Sequence, residues 1–242
     1  MENPILSTMV VLYKTNLTFD TTELANCIPL NEQIIKVEKR GIVKRGESKR
    51  DKIKRRSKKE PTSNTTGFCH NSLTIVMMNN GDGTLPMKEV TIKIFQNGVF
   101  HMTGILDEKY DTTAMKVILD TIWTTCRSSI KNEVESPEIL NRRVVLMNYV
   151  TSFTSNSTVA REALHNNIKN SHLEDVTSHY DPDVYPGVKI NIGKGNWTAK
   201  VFRTGKIILT GVTSKEECSE LISRLHLLFE KVLPKKQTLS AM

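Results

Sequence analysis

The sequence predicts an α+β protein made of two similar halves, each an antiparallel sheet with its helices on one side. Three observations carry this expectation. Residues 91–104 (TIKIFQNGVFHMTG) and 198–211 (TAKVFRTGKIILTG) share Thr91/Thr198, Lys93/Lys200, Phe95/Phe202, Gly98/Gly205, Thr103/Thr210 and Gly104/Gly211 at one spacing, which marks an internal repeat. Each copy alternates apolar and polar residues on both sides of a glycine, the pattern of a β-hairpin. Each copy is followed by a stretch with apolar residues at helical spacing.

The side-chain pattern selects the turn. A two-residue turn at Asn97-Gly98 pairs Phe95 with Phe100 and mixes the two faces. A three-residue turn, Gln96-Asn97-Gly98 with Gly98 left-handed in a bulge, pairs Phe95 with Val99, Lys93 with His101 and Thr91 with Thr103. That register gathers Ile92, Ile94, Phe100 and Met102 on one face, and Ala199, Val201, Ile207 and Leu209 in the second copy. The opposite face then holds Thr91, Lys93, Phe95, Val99, His101 and Thr103, with Thr198, Lys200, Phe202, Lys206, Ile208 and Thr210 as counterparts. A sheet buried on one side usually shows plainly polar residues there; this face is mixed, twice over.

In chain order, Ile5–Lys14 reads as a strand, and Asp20 with Glu23 as a capping box for a helix over 21–28. Ile34–Val43 reads as a second strand, and Ser72–Met78 leads into the first hairpin. Asp111 is the expected cap of a helix over 112–126, with Met115, Ile118, Leu119, Ile122 and Cys126 facing the core. The second half repeats the order: a strand over 143–153, a helix over 158–169, a strand over 184–192, the second hairpin, and a helix after Ser214 that Pro234 stops. Each half is then strand–helix–strand–strand–strand–helix. The domain scheme is an N-terminal repeat over 1–130, a linker over 131–142 and a C-terminal repeat over 143–242.

The 242 residues are 38% hydrophobic and 25% charged, with no apolar run of membrane-spanning length and no secretory leader pattern. The four cysteines form no C-x-x-C pair, so packed free thiols are expected rather than disulfides or a metal site. The net charge of +8 is concentrated, because residues 36–59 hold 13 Lys/Arg against 3 Asp/Glu. Within this basic insertion, taken as about 36–66, Lys49, Arg50, Lys52, Lys54, Arg55, Arg56, Lys58 and Lys59 sit among too few apolar residues to pack. Such a run reads as a solvated loop, as a contact to nucleic-acid phosphates, or as a nuclear-import signal; the last two are compatible. The chain has no nucleotide-binding, hydrolase or metalloprotease motif, and the mixed face has no carboxylate cluster, so neither catalytic residues nor a cofactor is expected.

Tyr180–Val188 (YDPDVYPGV), followed by FRTGKIILTG, resembles the C-terminal repeat of the TATA-box-binding protein family. IFQNGVFHMTG resembles the matching part of its N-terminal repeat, and LMNYV at 146–150 its asparagine-bearing first strand. The resemblance runs from about residue 5 to 233 and is stronger in the second half. It implies a saddle: a curved antiparallel sheet on the DNA minor groove with helices on the convex side, and apolar wedges that unstack base steps and kink the duplex. By position it implies Phe95, Phe202 and Tyr185 as wedges, Asn148 as a groove contact at the saddle centre, Thr103 and Thr210 as groove contacts, and Val10, Val150 and Ile208 as apolar contacts. Each residue has a rival reading: the phenylalanines capped by another part of the chain, Tyr185 as a turn residue, the threonines as good strand formers.

Three departures stand out. Thr8 is taken as the replacement of the first-repeat asparagine. Lys93 and Lys200 stand where the family has apolar side chains; they suit a narrow, electronegative A·T-rich groove and imply broader sequence preference with stronger salt dependence. The first repeat lacks the Tyr-x-Pro-x-x-aromatic motif, leaving Phe68 as a weak fourth wedge. The interval Thr8–Thr103 exceeds Asn148–Thr210 by about the length of the basic segment, as an insertion would make it. Divergent members with a lysine-rich insert here are similar to those of large nucleocytoplasmic DNA viruses. The resemblance implies A·T-rich double-stranded DNA, a transcription factor B-like protein and RNA polymerase as partners, no membrane, and a place in the nucleus or, for a virus, the viral factory or virion. The alternative is a scaffold of the same fold that has lost specific DNA binding.

If the basic segment neutralises phosphates, deleting residues 47–62 flattens the dependence of log Kd on log salt by several units and leaves sequence preference unchanged, as titrations of A·T-rich and G·C-rich duplexes at several salt concentrations would show.

Overall fold

Period-two alternation in the sequence becomes one-sided burial along almost every strand. The computed structural model of the chain describes residues 1–53, 71–153, 158–193 and 196–233. The chain divides into two compact units, Met9–Val145 and Met1–Thr8 with Leu146–Met242.

The first unit contains β1 (Ile5–Thr15, its last seven residues), α1 (Thr21–Cys27), β2 (Ile34–Lys39), β3 (Val43–Gly46), α2 (Lys49–Lys52), β4 (Ser72–Asn79), β5 (Lys88–Phe95), β6 (Val99–Ile105) and α3 (Glu108–Thr125). Its strands lie in the order β3-β2-β4-β5-β6-β1, each neighbour antiparallel. The second contains most of β7 (Ile139–Ser152), then α4 (Arg161–Asn170), β8 (Val176–His179), β9 (Val188–Ile192), β10 (Thr198–Val201), β11 (Lys206–Val212) and α5 (Lys215–Val232). Its order is β7-β11-β10-β9-β8, again antiparallel.

Both hairpins adopt the three-residue turn. Thr91 pairs with Thr103 and Lys93 with His101; Thr198 pairs with Thr210 and Lys200 with Ile208. The N–H of Gly98 donates to the carbonyl of Phe95, and that of Gly205 to Phe202, each over 3.0 Å and with φ of 76° and 80°. A Cβ on Gly98 would fall 2.0 Å from the Leu17 carbonyl oxygen, so the turn requires glycine on two grounds. Ile92, Ile94, Phe100 and Met102 are fully buried in the first unit, and Ala199, Val201, Ile207 and Leu209 in the second. Each of these side chains except Ala199 contributes about 1.5–3 kcal/mol. In each unit the helices cover this face: Met115, Ile118 and Ile122 of α3 are fully buried in one, and Leu221 and Leu225 of α5 in the other. Cys126 and Cys218 are free and buried, and burial pushes their thiols up to about 12 and about 11.

Several boundaries differ from expectation. Asp111 does not cap α3. The helix starts one turn earlier at Asp107, whose carboxylate accepts from the Lys109 N–H, and Asp111 lies inside it, fully buried. There it accepts hydrogen bonds from the Tyr13 hydroxyl (2.7 Å) and the Arg142 guanidinium (2.7 and 3.2 Å), an ion pair that claims the carboxylate more strongly than a helix end would. Arg142 comes from the segment 131–142 expected to be a linker; its last four residues instead begin β7. The expected strand over 34–43 is broken at Gly41 into the hairpin β2–β3, and Ser48 and Asp51 close the short α2. The basic insertion is therefore structured over its first half. The short strand β8, which has no apolar run to announce it, completes a second-unit pattern with four strands between its helices rather than three.

Replacing Asp111 with Ala strands a buried phenol and a largely buried guanidinium. Breaking such a pair costs about 3 kcal/mol, and a denaturant titration of the Asp111→Ala chain would register that loss against a Tyr13→Phe chain that keeps the ion pair.

Candidate nucleic-acid interface

The face left open in each unit is fixed by the same registers that bury the other. In the second unit, cross-strand pairing aligns Val150, Ile208, Lys200, Lys189 and His179 in one row across β7, β11, β10, β9 and β8. The next row is Thr210, Thr198, Asn191 and Thr177. Here Thr198 donates to the Asn191 amide oxygen at 3.1 Å, and that amide donates to Thr177 at 3.3 Å. The first row places Lys189 directly opposite Lys200. Like charges opposed on one face destabilise a sheet, so folding alone does not favour this pair.

At the end of these rows, the rings of Tyr185 and Phe202 meet edge-on, with centroids 5.9 Å apart. Gly187 lies beneath them: a Cβ there would come within 3.0 Å of the Tyr185 ring and 3.3 Å of the Phe202 ring. The Lys200 ammonium sits 5.8 Å from the Tyr185 ring centre. The Tyr185 N–H bonds to the Asp181 carbonyl at 2.9 Å, so the turn role and the open-face position coexist in one residue. Tyr185, Lys189, Thr198, Lys200 and Thr210 share a cleft of about 350 Å³ with His179 and Asp181. Asn148 is half-buried, and its amide oxygen is enclosed without a hydrogen-bond partner.

In the first unit the corresponding row is Leu12, His101, Lys93, Thr74, Glu38 and Lys44, followed by Thr103, Thr91, Val76 and Lys36. Phe95 is half-buried and pairs with Ser72. His101 Nδ1 is buried without a hydrogen-bond partner, and burial, then the charge of Lys93, holds the imidazole below its ordinary pKa of 6.5. Here the register corrects one expectation. Tyr13 pairs with Phe100 as Thr151 pairs with Ile207, so Val10 is the counterpart of Asn148, and Leu12 that of Val150. Thr8 is displaced by two positions from the place expected of it. Register is set by pairing with β6, and a strand's own sequence does not reveal a shift of two, which keeps every side chain on its face.

Leu12 and Lys189 are among the residues on these faces that were not singled out by sequence. Leu12 was hidden by that shift. Lys189 lies in the alternation Val188-Lys189-Ile190-Asn191-Ile192, and that alternation was the available signal. Of the basic segment, Lys49, Arg50 and Lys52 are exposed on α2; Lys54, Arg55, Arg56, Lys58 and Lys59, and Phe68, lie outside the described residues. Among the described residues there is no cluster of His, Cys, Asp and Glu that could hold a metal ion, and no helix is long and apolar enough to cross a membrane.

Residues 144–232 match the family model of transcription factor TFIID, the TATA-binding protein (TBP). Among solved structures, the TBP of Methanococcus jannaschii superposes with a TM-score of 0.58 at 16% identity, over 96% of this chain and 100% of that one. The fold is thus TBP-like, as the resemblance implied, and α+β, as the repeat predicted. The family-matched residues contain Asn148, Val150, Tyr185, Lys189, Lys200, Phe202, Ile208 and Thr210.

Because the folded chain holds His101 below 6.5, the unfolded chain binds its proton first. Stability is then unaffected well above that pH and falls as pH drops through 6.5 towards the native value. His101→Gln removes this part of the acid sensitivity, and melting temperatures taken from about pH 8 to about pH 5 should fall less steeply in that variant.

Proposed function

We propose that the chain is a TATA-binding-protein-like transcription initiation factor. In this reading it binds A·T-rich double-stranded DNA in the minor groove, bends it, and recruits a transcription factor B-like protein and an RNA polymerase. One observation carries the proposal: within the residues matched to the TBP family, an open sheet face opposes Lys189 to Lys200 beside an aromatic pair. A polyanion relieves that repulsion, and rings standing on a sheet face supply the wedge that minor-groove binders insert between base steps.

The other side chains fit the same ligand. In the minor groove A·T pairs present only acceptors, which the hydroxyls of Thr103 and Thr210 and the Asn148 amide can meet. Val150 and Ile208, with Leu12 in the first-repeat position first assigned to Val10, supply apolar contact to sugars and base edges. Lys93 and Lys200 add charge in a groove whose potential is most negative when it is narrow. Phe95 is the wedge of the first repeat, while Thr8, off the register of Asn148, has no groove role. No cofactor is required. Such a factor acts where its template is, in a nucleus or, for a large DNA virus, in its cytoplasmic factory.

A second reading, a scaffold of this fold without specific DNA binding, is favoured by Val10 occupying in the first repeat the position that Asn148 occupies in the second, since the first repeat then offers no amide at that place. Fluorescence-resonance bending of an end-labelled A·T-rich duplex separates the two. The intact chain is expected to bend the duplex, and Phe95→Ala/Phe202→Ala to lose bending together with about 1–3 kcal/mol of affinity per ring. A folded intact chain that neither binds nor bends the duplex leaves the scaffold.

A further inference from the structure

The open faces of the two units are not equally open. In the second unit the row Thr210, Thr198, Asn191 and Thr177 continues outward to an exposed Thr177. In the first unit the equivalent row ends in Val76 and Lys36, which are 4% and 6% exposed although they lie on the face away from the helices. Beside them lies the start of the basic insertion, which shares a cavity with both and holds the Lys36 ammonium through Asp51. After β3 the chain turns at Gly46 (φ 72°), where a Cβ would fall 2.0 Å from the Ile35 carbonyl oxygen, and Ser48, Arg50, Asp51 and Ile53 form one wall of a cavity of about 510 Å³. The sheet residues Thr74, Val76, Thr91 and Lys93 line the same cavity.

Asp51 ties this segment down. Its Oδ2 accepts from the backbone N–H and the hydroxyl of Ser48 at 2.9 and 2.7 Å, and its Oδ1 accepts from the ammonium groups of Lys36 and Lys44 at 3.0 and 3.1 Å. The Lys49 N–H donates to the Glu89 carboxylate at 2.9 Å. The segment's one carboxylate thus binds inward to Lys36, while Lys49 and Lys52 are exposed and Arg50, also exposed, borders the cavity.

We propose that residues 48–53 are a built-in cover over the outer part of the first repeat's open face, latched by Asp51 and displaced by DNA. The inference rests on the DNA-binding reading above and adds an order of events: the uncovered second repeat engages the duplex first. Phosphates then compete with Asp51 for Lys36 and Lys44, and attract the outward cations of the segment itself. Both effects favour the open form, whereas binding to the first face alone must first break the latch, which lowers its apparent affinity by the fraction of chains that are uncovered.

The latch is tested with Asp51→Asn against Glu47→Gln, a neighbouring exposed residue whose substitution changes net charge equally. In a Val76→Cys background the new thiol lies beneath the cover, and its rate of labelling by a maleimide, read by mass spectrometry of that peptide, reports opening without DNA. Asp51→Asn is expected to raise the labelling rate about tenfold and, in the native background, to tighten an A·T-rich duplex about tenfold; Glu47→Gln should change each less than about twofold. Equal labelling in all chains overturns the cover. Faster labelling with unchanged duplex affinity overturns its guarding of the DNA site. Duplex binding by none of the chains overturns the DNA reading and the guarding role with it, while the labelling rates still decide whether the latch exists.

Discussion

Gly98 and Gly205 each close a three-residue turn in the left-handed region, and the registers that follow decide which side chains are core and which are surface. A two-residue turn in the same sequence would put Phe100 and Ile207 on the wrong face. A one-residue slip of strand pairing inverts every side chain, so the cost of error is the whole apolar face of the hairpin, and the register is strongly specified. The open faces depend on this constraint. Lys93, His101 and Phe95 in one unit, and Lys200, Ile208 and Phe202 in the other, stand where they do because Ile92, Ile94, Val201 and Ile207 are buried behind them.

Once the faces are set, their charges are hard to explain by folding alone. Lys189 opposes Lys200, and burial, then the charge of Lys93, lowers the pKa of His101. Four polar side-chain atoms among the described residues, the Asn148 amide oxygen, His101 Nδ1, the Ser72 hydroxyl and Arg45 Nε, are enclosed without hydrogen-bond partners, an arrangement that costs stability. Elsewhere the same chain resolves such problems: Asp111 gathers Tyr13 and Arg142, and Lys39 is bonded to the Thr21 hydroxyl. Among the described residues three of these four atoms lie on the faces that the helices do not cover, where a ligand with its own hydrogen-bonding groups could meet them; the fourth, Arg45 Nε, lies on the helix side beside α1.

The repeats have diverged at their outer strands. Residues 180–187 join β8 to β9 and present Tyr185 at the open cleft, whereas residues 40–71 fill the corresponding interval between β2 and β4. Over residues 48–53 this chain exposes Lys49 and Lys52 and turns the Asp51 carboxylate inward, so a largely basic segment acts locally as the anionic partner of Lys36 and Lys44. Pairing with a buried lysine, and not net charge, sets its position.

How much could be read in advance follows from the range of the forces involved. Hairpin register, the apolar faces, the helix stripes and the recurrence of Lys93 in Lys200 and Phe95 in Phe202 are local: turn geometry and side-chain period suffice, and the sequence by itself determined them. Its motifs also carried a family likeness that is stronger in the second half, where residues 144–232 match the family model. Tertiary structure alone decided the rest. Asp111 left the helix cap because Arg142, distant in sequence, supplies a stronger partner; Val10 rather than Thr8 answers Asn148 because pairing with β6 sets the shift of β1. Residues 48–53 folded onto the first face because Asp51 met Lys36 across the hairpin. Each of these turns on contacts between residues far apart in the chain, and their energies depend on burial that no local pattern encodes.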